Sequence, residues 1–219
     1  MGFLPEDITK DFQMPRVPKT IVPTLTDEQL QALLAAPDRR TWAGTRDFAI
    51  VLVLLDTLIR VSELVGLNAE DVDLDEGVIG VMGKGGKERR VPFGTATAQA
   101  LRRYESAVED LRSGDPFFIT RYGRRMSRRA VHEMMTLYGR RERGMDGARC
   151  SPHTLRHTGA KRFILVGGDV FTLQKLLGHT TLAMVRRYVE LADVDVKVQH
   201  QRFGPADSLL RSPRPKRSG

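Results

Sequence analysis

The 219-residue chain lacks the features that would place it in a membrane, in a secretory pathway or in a disulfide-stapled fold. Its one cysteine, Cys150, excludes an internal disulfide and a thiolate metal cluster. No apolar run reaches the roughly 18 residues that a transmembrane helix needs. The N-terminus MGFLPEDITK lacks the basic start and apolar centre of a secretory signal, and Glu6 stands where N-myristoylation requires Ser or Thr. We therefore expect a cytoplasmic protein with no membrane partner.

Positive charge is abundant instead. The chain has 35 Lys and Arg against 27 Asp and Glu, a formal net charge of +8 and a pI near 10.0. This balance favours a polyanionic partner such as nucleic acid, although an anionic membrane surface fits the charge equally well. The length and composition are those of a globular protein with one sizeable core.

Composition divides the chain into three parts. Residues 1–24 contain four prolines and little apolar periodicity, which predicts a linker-like segment. Residues 25–203 carry the periodic apolar patterns of one folded domain. Residues 204–219 end in the basic, proline-rich sequence RSPRPKRSG and are predicted to be disordered.

The periodic patterns are mostly helical. Thr26 predicts a helix cap before DEQLQALLAA, and residues 46–57 predict a strongly apolar helix. VIGVM at 78–82 and RRVPF at 89–93 predict a β-hairpin with a glycine-rich turn. Further helices are predicted near 95–112, 127–142, 153–166, 170–178, 181–192 and 194–202, with a short strand at 116–120. The predicted fold class is mainly α with a small antiparallel β-sheet.

Four segments carry groups that bind anions: TLIRVSELVGL around Arg60, GKGGKERRVPF around Lys84, SPHTLRH around His153 and Arg156, and LLGHTT around His179. Taken singly, most of these patterns are better explained by a structural role, such as a surface ion pair between Arg60 and Glu63. His153 and His157 have the spacing of a zinc site, but HTLRH lacks the Glu of H-E-x-x-H. The turn GKGGK lacks the first glycine and the Ser or Thr of a P-loop. Zinc chemistry and nucleotide hydrolysis are therefore disfavoured.

The order of these segments is more informative than any one of them. They precede Tyr188, and the phrases RVSELVGL, GKGGKERRVPF, PHTLRH and LLGH, within residues 25–195, resemble tyrosine recombinases of the phage-integrase family. The resemblance implies the family's catalytic-domain fold and site-specific DNA cleavage and rejoining through a covalent 3′-phosphotyrosine intermediate, as in DNA integration. It implies that Glu63 orients Arg60. The catalytic set that it implies is Arg60, Lys84, His153, Arg156, His179 and Tyr188.

These residue types suit attack on a phosphodiester. Arg60 and Arg156 would bind the nonbridging oxygens without losing their protons. A free tyrosine has a pKa near 10, so only about one part in a thousand is phenolate at pH 7. His153 is the candidate base for Tyr188, Lys84 the candidate acid for the departing 5′ oxygen, and His179 a candidate hydrogen-bond donor to the phosphate.

The resemblance also implies the partners. Double-stranded DNA is the expected substrate, bound by four subunits on two duplexes, with a monomer expected in the absence of DNA. No metal, cofactor or ATP is expected. Basic clusters beside a predicted helix would contact the DNA backbone, or else form a solvated face. These candidates are Lys87, Arg124, Arg125, Arg128, Arg129, Arg140 and Arg141.

Three features depart from the family pattern. Leu58 stands where the family commonly has glycine, and Gly159 stands where it commonly has a bulky apolar residue. We expect the missing side chain at 159 to leave a cavity beside His153 and Arg156. The family also commonly carries a core-binding domain before the catalytic domain. Because only residues 1–24 precede it here, we expect weak DNA affinity and poor site selectivity.

Two other functions fit the same residues. A type IB topoisomerase uses similar chemistry but rejoins the same strand, so it would relax supercoils without recombining two sites. A non-catalytic DNA-binding protein of the same fold would form no covalent adduct.

Overall fold

The computed structural model describes residues 23–83, 86, 88–108, 110–142, 145, 147–178, 185, 186, 188, 189, 200, 201 and 204–206. Within these ranges the chain is mainly helical with one small antiparallel sheet, which is the predicted fold class. The helices are α1 (Asp27–Ala35), α2 (Trp42–Asp56), α3 (Val61–Gly66), α4 (Thr95–Glu105), α5 (Arg128–Arg141), α6 (Pro152–Leu165) and α7 (Val170–Leu177). The strands are β1 (Val72–Asp73), β2 (Val78–Met82) and β3 (Glu88–Pro92), with a 3-10 turn at Ala69–Asp71.

Short polar side chains begin the first two helices. The Thr26 hydroxyl accepts the amide of Gln29 at 3.2 Å, and the Gln29 side chain accepts the amide of Thr26 at 3.0 Å. This reciprocal capping box fixes the start of α1 where the sequence predicts it. Thr41 caps α2 by accepting the amide of Gly44 at 3.0 Å. The apolar helix predicted from residue 46 therefore begins earlier, at Trp42.

Helix α2 is the centre of the domain, because it contacts α1, α3, α4 and α6. Its residues Ile50, Val53 and Leu54 are fully buried. A helix that is apolar on most of its surface needs neighbours on several sides, and α2 has them.

The sheet contains the predicted hairpin. Ile79 on β2 lies opposite Val91 on β3, and both side chains are buried. The strands separate after the pair Met82 and Glu88. The third strand, β1, is only two residues long and pairs with β2. Such a short strand has no alternating pattern, so the sequence did not predict it.

Two boundaries differ from the predictions. The helix predicted over 95–112 ends at Glu105, and Asp110 has a φ of 54°, which is incompatible with a right-handed helix. The strand predicted at 116–120 forms single bridges, Asn68 with Pro116 and Ile119 with Arg125. Phe117 and Phe118 within it are buried, so core packing explains the apolar run.

A second, smaller apolar cluster lies between α6 and α7, which both form where they are predicted. Its buried members are Leu58, Ala160, Ile164, Leu173, Leu177, Val185 and Tyr188. This cluster encloses Tyr188, a member of the catalytic set that the resemblance implies.

Several predictions lie largely outside the described residues. They are the segment 1–24, the helices at 181–192 and 194–202, and the tail 204–219. Of the helix predicted over 181–192, residues 185, 186, 188 and 189 are described and are helical. No described helix has the length and apolar character needed to cross a membrane.

Candidate active site

Arg60 is held by Glu63 at the start of α3. The Arg60 amide donates to Oε2 of Glu63 at 2.7 Å, and the Arg60 guanidinium donates to Oε1 at 3.0 Å. The Glu63 side chain is 6% exposed, whereas that of Arg60 is 41% exposed. The carboxylate therefore fixes the arginine from inside and leaves part of the guanidinium open to a ligand.

Arg89 on β3 binds the same carboxylate. Its two terminal nitrogens donate to the two oxygens of Glu63, each at 3.0 Å, in the bidentate geometry that suits an arginine and a carboxylate. Burial opposes ionisation of Glu63, but the hydrogen bonds from Arg89 and from the Arg60 amide outweigh it and lower the pKa of Glu63. Glu63 is therefore a shared anchor that links the hairpin to the Arg60 segment.

Helix α6 carries His153, Arg156 and His157. Ser151 caps it by accepting the amide of Thr154 at 3.1 Å, and Pro152 occupies the first turn, where its missing N–H costs nothing. The spacings of three and four residues place all three side chains on one side of the helix.

Arg156 is buried and joins two other segments. One terminal nitrogen donates to the carbonyl of Leu58, just before Arg60, and the other donates to the carbonyl of Leu177 at 2.8 Å, at the end of α7. Burial, and next the charge of Arg60, lower the pKa of Arg156 to about 10. The guanidinium therefore stays protonated at neutral pH and is close enough to Arg60 for the two charges to interact.

The Tyr188 side chain is buried in the small cluster, with 3% of the residue exposed. Its hydroxyl lies 2.7 Å from Nδ1 of His157. Nε2 of His157 lies 2.7 Å from Nε2 of His153, and the two imidazole rings are nearly perpendicular. Negative charge on Tyr188 would raise the pKa of Arg156, so the hydroxyl also lies within electrostatic reach of that guanidinium.

Two members of the sequence-predicted catalytic set, Lys84 and His179, lie outside the described residues, as does Lys87. Gly178, just before His179, ends α7 with a φ of 61°. Glycine suits this left-handed helix cap because it has no Cβ.

The arginines suggested for DNA contact differ in their surroundings. The Arg125 guanidinium donates to the carbonyls of Val65 and Leu67 at 2.9 Å, so it braces the chain after α3. Arg129 forms an exposed ion pair with Glu133 at 2.7 Å. The others in the described residues are exposed, namely Arg124, Arg128, Arg140 and Arg141.

Comparison with known proteins places this arrangement in a family. Residues 23–194 match the family model described as the phage integrase family. The chain belongs to the phage integrase family. Of the sequence-predicted set, His153 and Tyr188 are linked through His157, and Arg156 binds the carbonyl of Leu58, two residues before Arg60.

Curated relatives include bacterial Xer recombinases. The chain is 38% identical over 198 residues to tyrosine recombinase XerD of Ralstonia nicotianae, covering 88% of this chain and 62% of the relative. It is 34% identical over 203 residues to tyrosine recombinase XerC of Chlamydia caviae, covering 91% and 64%. The chain thus spans somewhat less than two thirds of the length of these two relatives.

Solved structures share the fold. XerA recombinase is 26% identical with a TM-score of 0.68, covering 92% of this chain and 68% of that one. The Tn1549 transposon integrase has a TM-score of 0.67 at 21% identity, covering 91% and 72%. The catalytic domain of bacteriophage HP1 integrase has a TM-score of 0.58 at 23% identity, covering 85% of this chain and 97% of that domain.

Leu58 and Gly159, the two residues that depart from the family pattern, lie against each other. A Cβ added at Gly159 would lie 2.6 Å from Cδ2 of Leu58 and 2.3 Å from the carbonyl oxygen of Leu55. The expected cavity beside His153 and Arg156 is therefore wrong, because Leu58 and the Leu55 carbonyl of α2 occupy the Cβ position. Gly159 does line a groove of about 420 Å³, but neither His153 nor Arg156 lines it.

Two residues of the site were missed by sequence reasoning. His157 appeared only as half of a rejected zinc pair, although its place in HTLRH, one residue after Arg156, was the available signal. Arg89 appeared only as part of GKGGKERR, and its contact with Glu63 spans 26 positions, which no local pattern reveals. Among the described residues, no group of three or more His, Cys, Asp or Glu could hold a metal ion.

Proposed function

We propose that this chain cleaves and rejoins DNA strands at specific sites, with Tyr188 as the nucleophile that forms a covalent 3′-phosphotyrosine link. The observation that carries the proposal is the Tyr188 hydroxyl lying 2.7 Å from Nδ1 of His157 on α6, the helix that also carries His153 and the buried Arg156. In a phage-integrase chain, a tyrosine held against the helix that carries a buried arginine is suited to attack on an anionic phosphodiester.

The two arginines stabilise the charge that develops on the phosphate. Arg156 is fixed by two carbonyls, and Arg60 by a buried carboxylate, so neither needs to reorganise when the phosphate arrives. Fixed donors of this kind are worth more in a partly dehydrated site than in water. In the proposed step the Tyr188 oxygen forms a bond to phosphorus as the bond to the 5′ oxygen breaks. The reverse attack by a 5′-hydroxyl rejoins the strands.

The roles of the remaining catalytic candidates follow from the family resemblance. Lys84 would protonate the departing 5′ oxygen, and His179 would donate a hydrogen bond to the phosphate. Residues 25–203 would form the catalytic domain, with 1–24 as its linker and 204–219 as a basic tail. Arg124, Arg128, Arg140 and Arg141 would bind the DNA backbone, as would Lys87.

DNA is the proposed partner. The Tn1549 transposon integrase has been solved in complex with circular intermediate DNA, and the XerH recombinase bound to a palindromic difH substrate. We propose that this chain forms a tetramer on two duplexes and is a monomer when free. Sedimentation with and without DNA tests that assembly.

The covalent link is the decisive test. The purified protein would be incubated with supercoiled plasmid in EDTA, quenched in detergent and treated with nuclease, and the protein band would then be examined on a denaturing gel. We expect a band carrying covalent DNA in wild type and none in Tyr188→Phe. Tyr122→Phe is the matched control, because Tyr122 is exposed and should leave the adduct unchanged.

Each alternative has its own outcome. An adduct that survives in Tyr188→Phe would contradict the assignment of the nucleophile. Relaxation of the plasmid without recombination of a two-site substrate would favour the topoisomerase. A folded protein that retards DNA and forms no adduct would favour a non-catalytic DNA-binding protein.

A further inference from the structure

His157 is the buried histidine between Tyr188 and His153, and it lies outside the catalytic set that the family motifs imply. Its Nδ1 is 2.7 Å from the Tyr188 hydroxyl, and its Nε2 is 2.7 Å from Nε2 of His153. Both ring nitrogens are therefore engaged in one continuous chain of hydrogen bonds.

The relative acidities of the phenol and the imidazoles give this chain of hydrogen bonds a direction. Two ring nitrogens at hydrogen-bonding distance must share one proton, so one of them donates and the other accepts. A phenol is a stronger acid than the N–H of a neutral imidazole, which favours donation from Tyr188 to Nδ1 of His157. The neutral His157 then carries its proton on Nε2 and donates it to His153. This is the tautomer that can accept the Tyr188 proton at one end while releasing another proton at the other.

Exposure increases along the same path. Tyr188 is 3% exposed and His157 is 8% exposed, whereas His153 is exposed to solvent. Although much of the His153 side chain is open to solvent, partial burial of its ring, and next the charge of Arg156, lower the pKa of His153, with further contributions from Arg149 and His132. His153 is therefore neutral before the reaction and has a free-base nitrogen ready to receive a proton. The hydrogen bonds therefore connect the buried Tyr188 hydroxyl to His153, which is in contact with solvent.

We propose that the catalytic base for Tyr188 is His157 rather than His153, the base expected from the sequence, and that His153 is the next proton acceptor in the relay. The inference rests on the proposed function, since it requires Tyr188 to be the nucleophile. As the Tyr188 oxygen bonds to phosphorus, its proton moves to Nδ1 of His157, and the Nε2 proton of His157 moves to Nε2 of His153. The bond from phosphorus to the 5′ oxygen breaks, and that oxygen takes its proton from the acid of the site. His153 ends as an imidazolium, and rejoining returns each proton along the same path.

The first test replaces the base but keeps a hydrogen-bond acceptor. In His157→Asn, the side-chain oxygen can accept the Tyr188 hydrogen bond near the position of Nδ1, but it is not basic and does not reach His153. Because a general base commonly contributes about 10²- to 10⁴-fold, we expect adduct formation to slow by at least about 100-fold. His157→Gln, whose amide reaches toward His153, provides a second variant. Thermal melting and DNA retardation establish that each variant folds and binds.

The second test separates proton transfer from packing. A ring-fluorinated tyrosine at position 188 has a more acidic phenol and needs the base less. We expect the slowing caused by His157→Asn to shrink by about tenfold or more with the fluorinated nucleophile, in line with general-base behaviour. If His157 has only a structural role, His157→Asn should slow adduct formation by the same factor with tyrosine and with fluorotyrosine at position 188. That result would overturn the proposal.

The outcomes distinguish this inference from the proposed function. If wild type forms no Tyr188-dependent adduct, the proposed function fails whatever His157 does. If wild type forms the adduct and folded His157→Asn forms it at the same rate or faster, the relay is wrong while the function stands.

Discussion

Leu58 has a backbone conformation that glycine usually adopts. Replacing it by glycine should therefore be less destabilising than replacing it by alanine. Its φ is 56°, in the left-handed region, although its side chain is 1% exposed in the cluster around Tyr188. The left-handed conformation costs a residue with a Cβ roughly 1–2 kcal/mol. Packing of the Leu58 side chain offsets this strain.

The two contributions can be separated by comparing alanine and glycine. Leu58→Ala removes the buried side chain, at a cost of about 2–5 kcal/mol, and keeps the strain. Leu58→Gly also removes the side chain but relieves the strain, while losing one more carbon worth about 0.8 kcal/mol. We therefore expect Leu58→Gly to be more stable than Leu58→Ala by about 0.2–1.2 kcal/mol.

Leu173 supplies the matched control. It is fully buried in the same cluster but lies inside α7, where the backbone is right-handed. There glycine should be less stable than alanine by about 1 kcal/mol, since glycine is a poor helix former. Urea unfolding of the four variants measures both differences. If glycine is less stable than alanine by a similar amount at both positions, the argument that Leu58 is strained fails.

Four further predictions concern the surrounding structure. Gly159→Ala should lower the free energy of unfolding by about 1–3 kcal/mol, because its Cβ would meet the Leu55 carbonyl. Gly66→Ala is the control, because its Cβ would meet nothing within 4 Å and should leave stability unchanged. Urea unfolding compares the two variants. Arg89→Lys loses the bidentate bond to Glu63 and should cost about 1–3 kcal/mol, while Arg90→Lys on the same strand, with an exposed ion pair, should cost less than about 1 kcal/mol; equal effects would contradict the anchor. The pKa of Glu63 is lower folded than unfolded, so its ionised form stabilises the fold at neutral pH and this contribution is lost as the pH falls below 4.5 and through the folded-state pKa. Melting temperatures should therefore fall less steeply with acid in Glu63→Gln, and an unchanged slope would refute this. Burial raises the pKa of Cys150 to about 11, so iodoacetamide at pH 8 should modify it much more slowly in native protein than in urea; equal rates would show that the thiol is accessible.

Local patterns predicted most of the helices because caps and apolar periodicity act over a few residues. Thr26 and Ser151 each satisfy amides within three positions, so the starts of α1 and α6 could be found without knowing their neighbours. The end of α4 could not, because the sequence after Glu105 continues a helical pattern that the left-handed Asp110 interrupts. The two-residue strand β1 forms through pairing with β2, which is a tertiary property.

The sequence alone determined the family and the residue types of the site, because an ordered set of Arg60, H-x-x-R and Tyr188 within family phrases needs no coordinates. Tertiary structure decided which groups touch. It placed the buried His157 against the Tyr188 hydroxyl and brought Arg89 onto Glu63. It also let Leu58 occupy the space beside Gly159. These contacts join residues 26 to 101 positions apart in the chain, where loop closure and close packing, rather than local periodicity, decide which atoms meet.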